Sequence, residues 1–380
     1  MYHSVQERER AKNEFKKLVR DKRPTVQLLY DQLADFMYTV VQDDICIHKQ
    51  SHEHRLHDVL CQFSFVYMPI PLASDLVHHG NLVNQQPVLA KGSNGRVFDS
   101  GIFQGNPIVT KTKKKWSENT IFEVYLNMVV INSFLLHGDH VNQLLPSYGI
   151  FLCGSNQDGT QICHGDVTGK HLFLVQKKVE GPTLKKRLES DYSLSSYQRI
   201  LKQVLDIMVF FESSTYRMYH MDMHDSNIIV SSENGEEHAV IIDFELASWT
   251  VHERNGTPHR YRLNSVENAY CGKEIVYTGA YDVVLFLSST AQSALNPEIK
   301  AYALEKLASI FRGTFWKDDG VEFTVSLSLF TKHSDRWLYH LLTQAEKDVS
   351  SKQNVHRHNV SELEKMTCSF LRNTFFSDIM

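Results

Sequence analysis

Three polar side chains near the middle of the chain have the types and the spacing that transfer of a phosphoryl group requires. Asp222 and Asn227 lie in the segment HMDMHDSN, residues 220–227, and Asp243 lies in the segment IIDFE, residues 241–245. Phosphoryl transfer depends on alignment of the reactants and on charge neutralisation more than on covalent chemistry. The carboxylate of Asp222 can accept the proton of an attacking hydroxyl. The side-chain oxygens of Asn227 and Asp243 suit Mg²⁺, which prefers hard oxygen ligands.

A helix and a hairpin are the elements that must position these side chains. Apolar residues recur at helical spacing through residues 194–216. Two short strands are predicted at residues 227–230 and 238–243, and the dipeptide Asn234-Gly235 between them is a strong hairpin signal. The segment that contains Asp222 is therefore predicted to lie between a long helix and the first strand of a hairpin.

Together the two polar segments resemble the signature motifs of protein kinases. The first resembles the catalytic loop His-x-Asp-x-x-x-x-Asn, and the second resembles the metal-binding Asp-Phe-Gly, with Glu245 in place of the glycine. The resemblance implies an enzyme that uses ATP and Mg²⁺, in which Asp222 is the catalytic base and Asn227 and Asp243 are the metal ligands. A chance cluster of these residue types in an ordinary loop is the alternative interpretation.

The segment LAKGSNGRV, residues 89–97, resembles the glycine-rich loop that covers the phosphates of ATP. Ala90 stands where the first glycine is usual. Gly92 and Gly95 remain, and they allow backbone N–H groups to approach phosphate oxygens. The resemblance implies that Ala90, Gly92, Gly95 and Val97 contact the nucleotide, whereas a plain glycine turn is the alternative.

A phosphate-binding lysine and its acidic partner follow along the chain. Lys111 ends a strand-like segment that resembles the kinase strand carrying this lysine, and Lys113 is a rival for the same role. Glu123, in the next helical run, is the best ion-pair partner for Lys111, with Glu118 as the second choice. The resemblance gives Lys111 and Glu123 catalytic roles. A solvated strand end and a surface charge on a helix are the alternatives.

The run LFLVQKKVEGPTL, residues 172–184, resembles the last strand of the small kinase lobe and the hinge after it. Adenine would bond to backbone groups near Lys177 and Val179, and Gln176 falls at the gatekeeper position. Further on, Asp282 precedes an apolar helix and resembles the aspartate that accepts backbone hydrogen bonds from the catalytic loop. A simple helix N-cap is the alternative role for Asp282.

Several positions depart from the usual protein-kinase pattern. Met221 replaces the arginine that binds activation-loop phosphate, which implies that loop phosphorylation is not the main switch. His224 replaces the lysine that touches the transferred phosphate, and no Ala-Pro-Glu occurs between Phe244 and Asp282. This pattern resembles haspin-like kinases and divergent kinases of large DNA viruses. It is also similar to that of small-molecule phosphotransferases for aminoglycosides and choline.

The order of the predicted elements places the chain in the α+β class. The first half is predicted to contain a helix at 117–136 and strands at 87–91, 95–101, 107–111, 147–153 and 171–176. The second half is mainly helical and ends in a helix at 360–376, where apolar residues have helical spacing.

The resemblance to protein kinases covers residues 87–295 and implies a two-lobed protein-kinase-like fold. Such a fold has a small antiparallel sheet lobe and a larger helical lobe. We predict a helical N-terminal extension at 1–84, a small lobe at 85–179 and a large lobe at 180–380. The extension is expected to dock on the small lobe or to bind a partner. Within it, His57 and Cys61 permit a zinc site, although a polar helix with surface histidines is the preferred interpretation.

The composition is ordinary for a globular protein. The chain has 380 residues, of which 42% are hydrophobic and 22% charged, and its net charge of -4 does not favour a nucleic-acid binder. Six cysteines without paired spacing predict free thiols in a reducing compartment. A charged N-terminus and the lack of a run of ~20 apolar residues predict a soluble intracellular protein without a membrane partner. We expect it in the cytoplasm, or in the host-cell cytoplasm or virion if its origin is viral.

Three functions are compatible with these observations. The leading hypothesis is a Ser/Thr protein kinase that transfers the γ-phosphate of ATP to hydroxyls of protein substrates. The second is a small-molecule kinase of the aminoglycoside or choline type, which His224 favours. The third is a nucleotide-binding pseudokinase scaffold, against which the retention of Asp222, Asn227, Asp243 and Lys111 argues.

Overall fold

The computed structural model confirms a mixed α+β architecture. The described residues are 67–68, 88–91, 95–103, 106–113, 123–136, 142–153, 171–252, 258–261, 279–314 and 367–379. The chain divides into two compact units, Met1–Val179 and Glu180–Met380, and this division coincides with the predicted end of the small lobe. Apart from residues 67–68, the predicted N-terminal extension with its candidate zinc ligands lies outside the described residues.

A six-stranded sheet forms the framework of the first unit. Its strands are β1 (Tyr67–Met68), β2 (Val88–Lys91), β3 (Gly95–Phe103), β4 (Asn106–Lys113), β5 (Ser147–Cys153) and β6 (His171–Lys177). Their spatial order is β1-β5-β6-β4-β3-β2, and all neighbours are antiparallel except β1 and β5. On β4, Ile108 and Thr110 are buried on one face and Lys111 lies on the other, as the two-residue period of a strand requires.

One helical segment of the first unit, α1, spans residues 123–136. It is π-helical at Leu126–Ile131 and α-helical at Asn132–Leu136. Every residue from 123 to 132 is buried, as expected for a helix that is apolar on most sides. The sequence predicts the helix but not its π-helical part, which is a rare form that is frequent at functional sites. The predicted first turns, residues 117–122, lie outside the described residues.

The second unit is mainly helical. Its described α-helices are α2 (Leu184–Leu188), α3 (Leu194–Ser213), α4 (Gly279–Ser293), α5 (Pro297–Thr314) and α6 (Cys368–Phe375). Helix α3 begins after Ser193, whose hydroxyl accepts the N–H of Ser196 at 3.1 Å. Most of its buried residues recur every three or four positions, and together they form the centre of this unit: Tyr197, Ile200, Leu201, Val204, Leu205, Ile207, Met208 and Phe211. No helix of the described residues is long and apolar enough to cross a membrane.

The predicted hairpin lies after α3. Strands β7 (Ile228–Glu233) and β8 (Glu236–Ile241) are antiparallel and in continuous register. Asn234 and Gly235 connect them with positive φ angles of 53° and 85°, which matches the type I′ turn that this dipeptide favours. A second antiparallel pair, β9 (Trp249–His252) and β10 (Pro258–Tyr261), was not predicted.

Several predicted boundaries are wrong for local reasons. Helix α3 ends at Ser213 because Ser214 has an extended backbone. Asn227 belongs to the 3₁₀ turn Asp225–Asn227 rather than to a strand. Strand β8 stops before Asp243, which adopts the left-handed conformation.

The C-terminal helix is shorter than its apolar spacing indicates. Thr367 has an extended backbone and its hydroxyl accepts the N–H of Phe370 at 3.0 Å. This N-cap starts α6 at Cys368, eight residues later than predicted, and the preceding predicted residues, 360–366, lie outside the described ones. The N–H of Cys368 donates to Glu212 on α3 at 2.7 Å, so the helix begins where it is anchored to the core of its unit.

Candidate active site

Hydrogen bonds join the predicted base to the first predicted metal ligand. The amide Nδ2 of Asn227 donates to the backbone carbonyl of Asp222 at 2.9 Å and to its carboxylate Oδ2 at 3.1 Å. The 3₁₀ turn brings the two residues together, with the Asn227 N–H bonded to the carbonyl of His224 at 2.9 Å. Because the amide nitrogen faces Asp222, Oδ1 is the side-chain atom of Asn227 that can bind a metal ion.

The second predicted metal ligand, Asp243, follows a backbone contact with the same loop. The N–H of Ile242 donates to the carbonyl of Asn227 at 2.9 Å and continues the β7–β8 pairing by one step. Asp243 comes next, with φ of 63° and ψ of 66°. This left-handed conformation is unfavourable for a residue with a side chain and is concentrated at functional sites. The hairpin therefore places Asp243 beside the loop of Asp222 and Asn227.

His224 lies close to the predicted base Asp222. Its Nε2 is 3.5 Å from Oδ2 of Asp222, and its Nδ1 accepts the N–H of Ser226 at 3.2 Å. Burial lowers the pKa of His224, but hydrogen bonding to Asp222 and the charges of Asp222, Asp225 and Asp243 raise it above the ordinary value overall. Since Nδ1 is an acceptor, the ring proton is on Nε2 and faces Asp222.

Asp282 on α4 fixes the backbone immediately before Asp222. Its two carboxylate oxygens accept the N–H groups of His220 and Met221, each at 2.8 Å. The predicted bracing role is confirmed, and the simple N-cap is wrong because α4 begins at Gly279. Met221 has a positive φ of 61°, so the hydrogen bonds hold a strained residue. Burial raises the pKa of Asp282 to about 7, although both hydrogen bonds act in the opposite direction.

The ring of His220 links the catalytic loop to the residues around Asp243. Its Nε2 lies 3.0 Å from the carbonyl of Ile242, and its centroid lies 4.9 Å from that of Phe244. Phe244 in turn packs edge-on against Phe211 of α3 at 5.9 Å. Burial lowers the pKa of His220 below 6.5, so the neutral ring donates from Nε2. The sequence analysis missed this link, for which the motif histidine was the only signal.

The first unit contains the predicted ion pair. Lys111 Nζ lies 2.7 Å from Glu123 Oε1, and the two side chains are 15% and 4% exposed. Lys111 is directly opposite Val97 across β4 and β3, so their side chains share one face of the sheet. A pair shielded from water in this way interacts more strongly than one on the surface. Glu118, the second choice as partner, lies outside the described residues.

The predicted nucleotide-binding strands are present as an antiparallel pair. Ala90 on β2 pairs with Val97 on β3, and Gly95 is the first residue of β3. Gly92 lies outside the described residues. The structure thus places Ala90, Val97 and Lys111 in one row across three neighbouring strands.

The predicted hinge residues Lys177 and Val179 lie at the end of strand β6 and just after it. The N–H of Lys177, its last residue, donates to the carbonyl of Pro146 at 3.1 Å. That N–H is therefore already paired within the first unit. Val179 ends the first unit and is half-buried.

Asn127, inside α1, is a functional candidate that was not predicted from the sequence. Asn127 is 3% exposed and shares a hydrogen bond with the predicted gatekeeper Gln176, at 3.1 Å. A polar residue four positions after Glu123 in an otherwise apolar run was the only signal in the sequence. Only the packing of α1 on the sheet shows its partner.

The donor set of Asn227 and Asp243 fits Mg²⁺ better than a metal held by protein groups alone. No group of three or more His, Cys, Asp or Glu side chains among the described residues could hold a metal ion. One carboxylate and one amide oxygen are typical of Mg²⁺ sites, in which phosphates and water complete the shell. Zinc sites instead need three or four protein ligands, mostly nitrogen and sulfur.

No protein-family model and no curated protein matches this chain.

Proposed function

We propose that the chain is an ATP- and Mg²⁺-dependent phosphotransferase of the protein-kinase type, with a Ser or Thr hydroxyl of a protein as the acceptor. One observation carries the proposal, which is the pair of contacts that Asn227 makes. Its side-chain amide donates to Asp222, and its backbone carbonyl accepts the N–H of Ile242, the residue before Asp243. This arrangement combines a base with two oxygen ligands for a metal. An ordinary loop has no physical need for such a combination.

Asp222 is the proposed base. Its carboxylate accepts the proton of the acceptor hydroxyl as the new bond between that oxygen and the γ-phosphorus forms. The bond between the γ-phosphorus and the bridging oxygen breaks, and ADP leaves with the electron pair. Magnesium held by Asn227 and Asp243 would neutralise part of the charge on the triphosphate. The hydrogen bonds from Asn227 keep the Asp222 carboxylate oriented before the acceptor arrives.

The first unit supplies the proposed phosphate-binding cation. Lys111 donates to nucleotide phosphate oxygens while Glu123 fixes the direction of its side chain. The short distance and the low exposure of the pair support this role. The glycine-containing strand pair β2–β3 adjoins the strand of Lys111, which supports binding of a nucleotide at this face of the sheet.

The acceptor class has a second candidate. His224 faces Asp222 with a protonated Nε2 and occupies the place where Ser/Thr kinases usually have a lysine. The motif with a histidine at this position resembles the motif of small-molecule phosphotransferases. A small alcohol is therefore the alternative acceptor to a protein hydroxyl.

A transfer assay tests the proposal. The purified full chain is incubated with γ-labelled ATP, Mg²⁺ and either basic and casein-like proteins or a panel of small alcohols. We expect label on protein, and a loss of at least about 1000-fold in Asp222→Asn. The matched control Asp191→Asn changes an exposed aspartate between α2 and α3 and retains activity. Transfer only to small alcohols assigns the alternative acceptor. An active Asp222→Asn variant would refute the proposed base.

A further inference from the structure

Three buried polar side chains of the first unit form one hydrogen-bonded network. They are Asn127, Gln176 and Ser147, and the network is here called the amide network. Gln176 Nε2 donates to Asn127 Oδ1 and to Ser147 Oγ, both at 3.1 Å. The three side chains are 3%, 8% and 0% exposed, respectively. Buried polar groups are costly unless they are paired, so these contacts fix the relative positions of the elements that carry them.

The amide network reaches the backbone of Glu123 directly. Asn127 Nδ2 donates to the Glu123 carbonyl at 2.8 Å. That carbonyl would accept the backbone N–H of residue 127 in a regular α-helix. Here the π-helical part of α1 begins, and the side chain of Asn127 donates a hydrogen bond to the Glu123 carbonyl. The network thus runs from β5 and β6 through Gln176 and Asn127 to the residue that pairs with Lys111.

The sheet end of the network is fixed as well. Ser147 and Gln176 are opposite each other on β5 and β6. The backbone of Ser147 is bonded to Asn132, whose Nδ2 donates to the Ser147 carbonyl at 2.7 Å and whose Oδ1 accepts its N–H at 3.1 Å. Helix α1 is therefore attached to the sheet at two points that are five residues apart along the helix, to β6 through Asn127 and to β5 through Asn132.

We infer that the amide network holds α1 against the sheet and keeps Glu123 paired with Lys111, so that Asn127 and Gln176 are positioning residues for the ion pair. The catalytic consequence of this inference rests on the proposed function. Apolar packing alone permits a helix to slide or rotate by a fraction of a turn, because it is not directional. Directional amide hydrogen bonds remove that freedom. The ion pair is consequently built into the first unit.

The test uses the full chain with leucine substituted at both amide positions. In Asn127→Leu/Gln176→Leu both partners of the shared hydrogen bond become apolar, which preserves folding better than a single change does. The matched control Ser133→Ala removes a hydrogen bond within the same helix, from Ser133 Oγ to the Val129 carbonyl. This hydrogen bond lies within the helix and does not link the helix to the sheet. The comparison variant Glu123→Gln breaks the ion pair itself.

The first measurement tests whether the ion pair is intact and does not depend on phosphoryl transfer. Acetylation of Lys111 by acetic anhydride is followed by peptide mass spectrometry on the folded protein. We expect the rate to rise at least about threefold in Glu123→Gln and equally in the double leucine variant, because an amine that is no longer held by its carboxylate partner can approach the anhydride more readily. Ser133→Ala leaves the rate unchanged. An unchanged rate in the double leucine variant overturns the inference.

The second measurement separates a positioning role from a purely structural one. In the transfer assay we expect kcat of the double leucine variant to fall about tenfold, with no further loss when Glu123→Gln is added, because both changes act on one ion pair. If the double leucine variant is fully active, or if the losses multiply, the inference is wrong. If the unaltered chain transfers no phosphate while the acetylation results hold, the proposed function fails and the role of the amide network stands.

Discussion

Asp282 on α4 accepts a hydrogen bond at 2.8 Å from the backbone N–H of Met221, which lies sixty-one positions earlier in the chain. A second bond of the same length reaches the N–H of His220. The carboxylate thus sets the path of the backbone just before Asp222, from a helix that is remote in sequence. Because Met221 has a positive φ, this path is not one that the loop would adopt by itself.

Replacement of Asp282 by asparagine should impair both the fold and the reaction. Asparagine has one acceptor oxygen, so one of the two N–H groups loses its partner and the amide nitrogen faces a donor. We expect a loss of about 2 kcal/mol in the free energy of unfolding and a loss of kcat greater than global unfolding explains. Urea unfolding and the transfer assay measure the two effects. A variant with unchanged stability and kcat would contradict the bracing role.

The same carboxyl group should make stability depend on pH. The pKa of Asp282 is raised from 3.8 to about 7 in the folded chain, so the folded state binds a proton that the unfolded state has released. The resulting stabilisation is complete below pH 3.8 and is lost as pH rises through about 7. We expect the free energy of unfolding to decrease as pH rises from 3.8 to about 7, and we expect a smaller decrease in Asp282→Asn. Equal slopes for both proteins would exclude Asp282 as the source.

Removal of the Asn227 amide should affect the metal dependence of the reaction. In Asn227→Ala the Asp222 carboxylate loses the donor that orients it, and one proposed metal ligand disappears. We expect turnover to fall by at least about 100-fold and the Mg²⁺ concentration for half-maximal turnover to rise. A magnesium titration of the transfer rate measures both. Ser226→Ala is the control, because its hydroxyl bonds Asp225 within the same turn, and it should behave like the unaltered chain.

The two lysines at the end of β4 should differ sharply in importance. Lys111 is paired with Glu123 at 2.7 Å, and we expect Lys111→Ala to abolish most transfer activity with a smaller effect on stability. We expect Lys113→Ala to retain activity. The readouts are kcat/KM for ATP and the midpoint of thermal unfolding. If Lys113→Ala is the damaging change, the phosphate-binding lysine is Lys113, two residues further along β4, and the assignment of Lys111 is wrong.

Gly181 should tolerate no side chain. Its φ is 144°, and a Cβ at this position would overlap the backbone carbonyl of Val230 on β7. The neighbouring Pro182 carbonyl accepts the Val230 N–H at 2.9 Å, so the two segments cannot separate without breaking that bond. We expect Gly181→Ala to lower the free energy of unfolding by about 3 kcal/mol or more.

Gly235 offers a matched control for this substitution. It also has a positive φ, of 85°, but no atom lies near its missing Cβ. Gly235→Ala should therefore cost only the conformational strain, about 1 kcal/mol. Urea unfolding of both variants measures the difference. Equal losses would show that strain rather than the contact with Val230 governs Gly181.

The sequence by itself determined the features that depend on nearby residues. Asn234-Gly235 fixed the hairpin turn, because few other dipeptides accept two positive φ angles. The apolar period predicted helix α3, and the motif spacing predicted that Asp222, Asn227 and Asp243 lie near one another. Helix and strand ends were less accurate, since caps such as Thr367 compete with an apolar period that continues past them.

Only the tertiary structure decided which distant residues meet. Gln176 and Asn127 are 49 positions apart, and their hydrogen bond exists because β6 and the π-helical part of α1 pack together. The link from His220 to the Ile242 carbonyl likewise depends on the fold of its unit. A local sequence pattern reports backbone preference and the side of an element that is buried. It does not specify the partner across the core, because that choice is made by packing among elements that are remote along the chain.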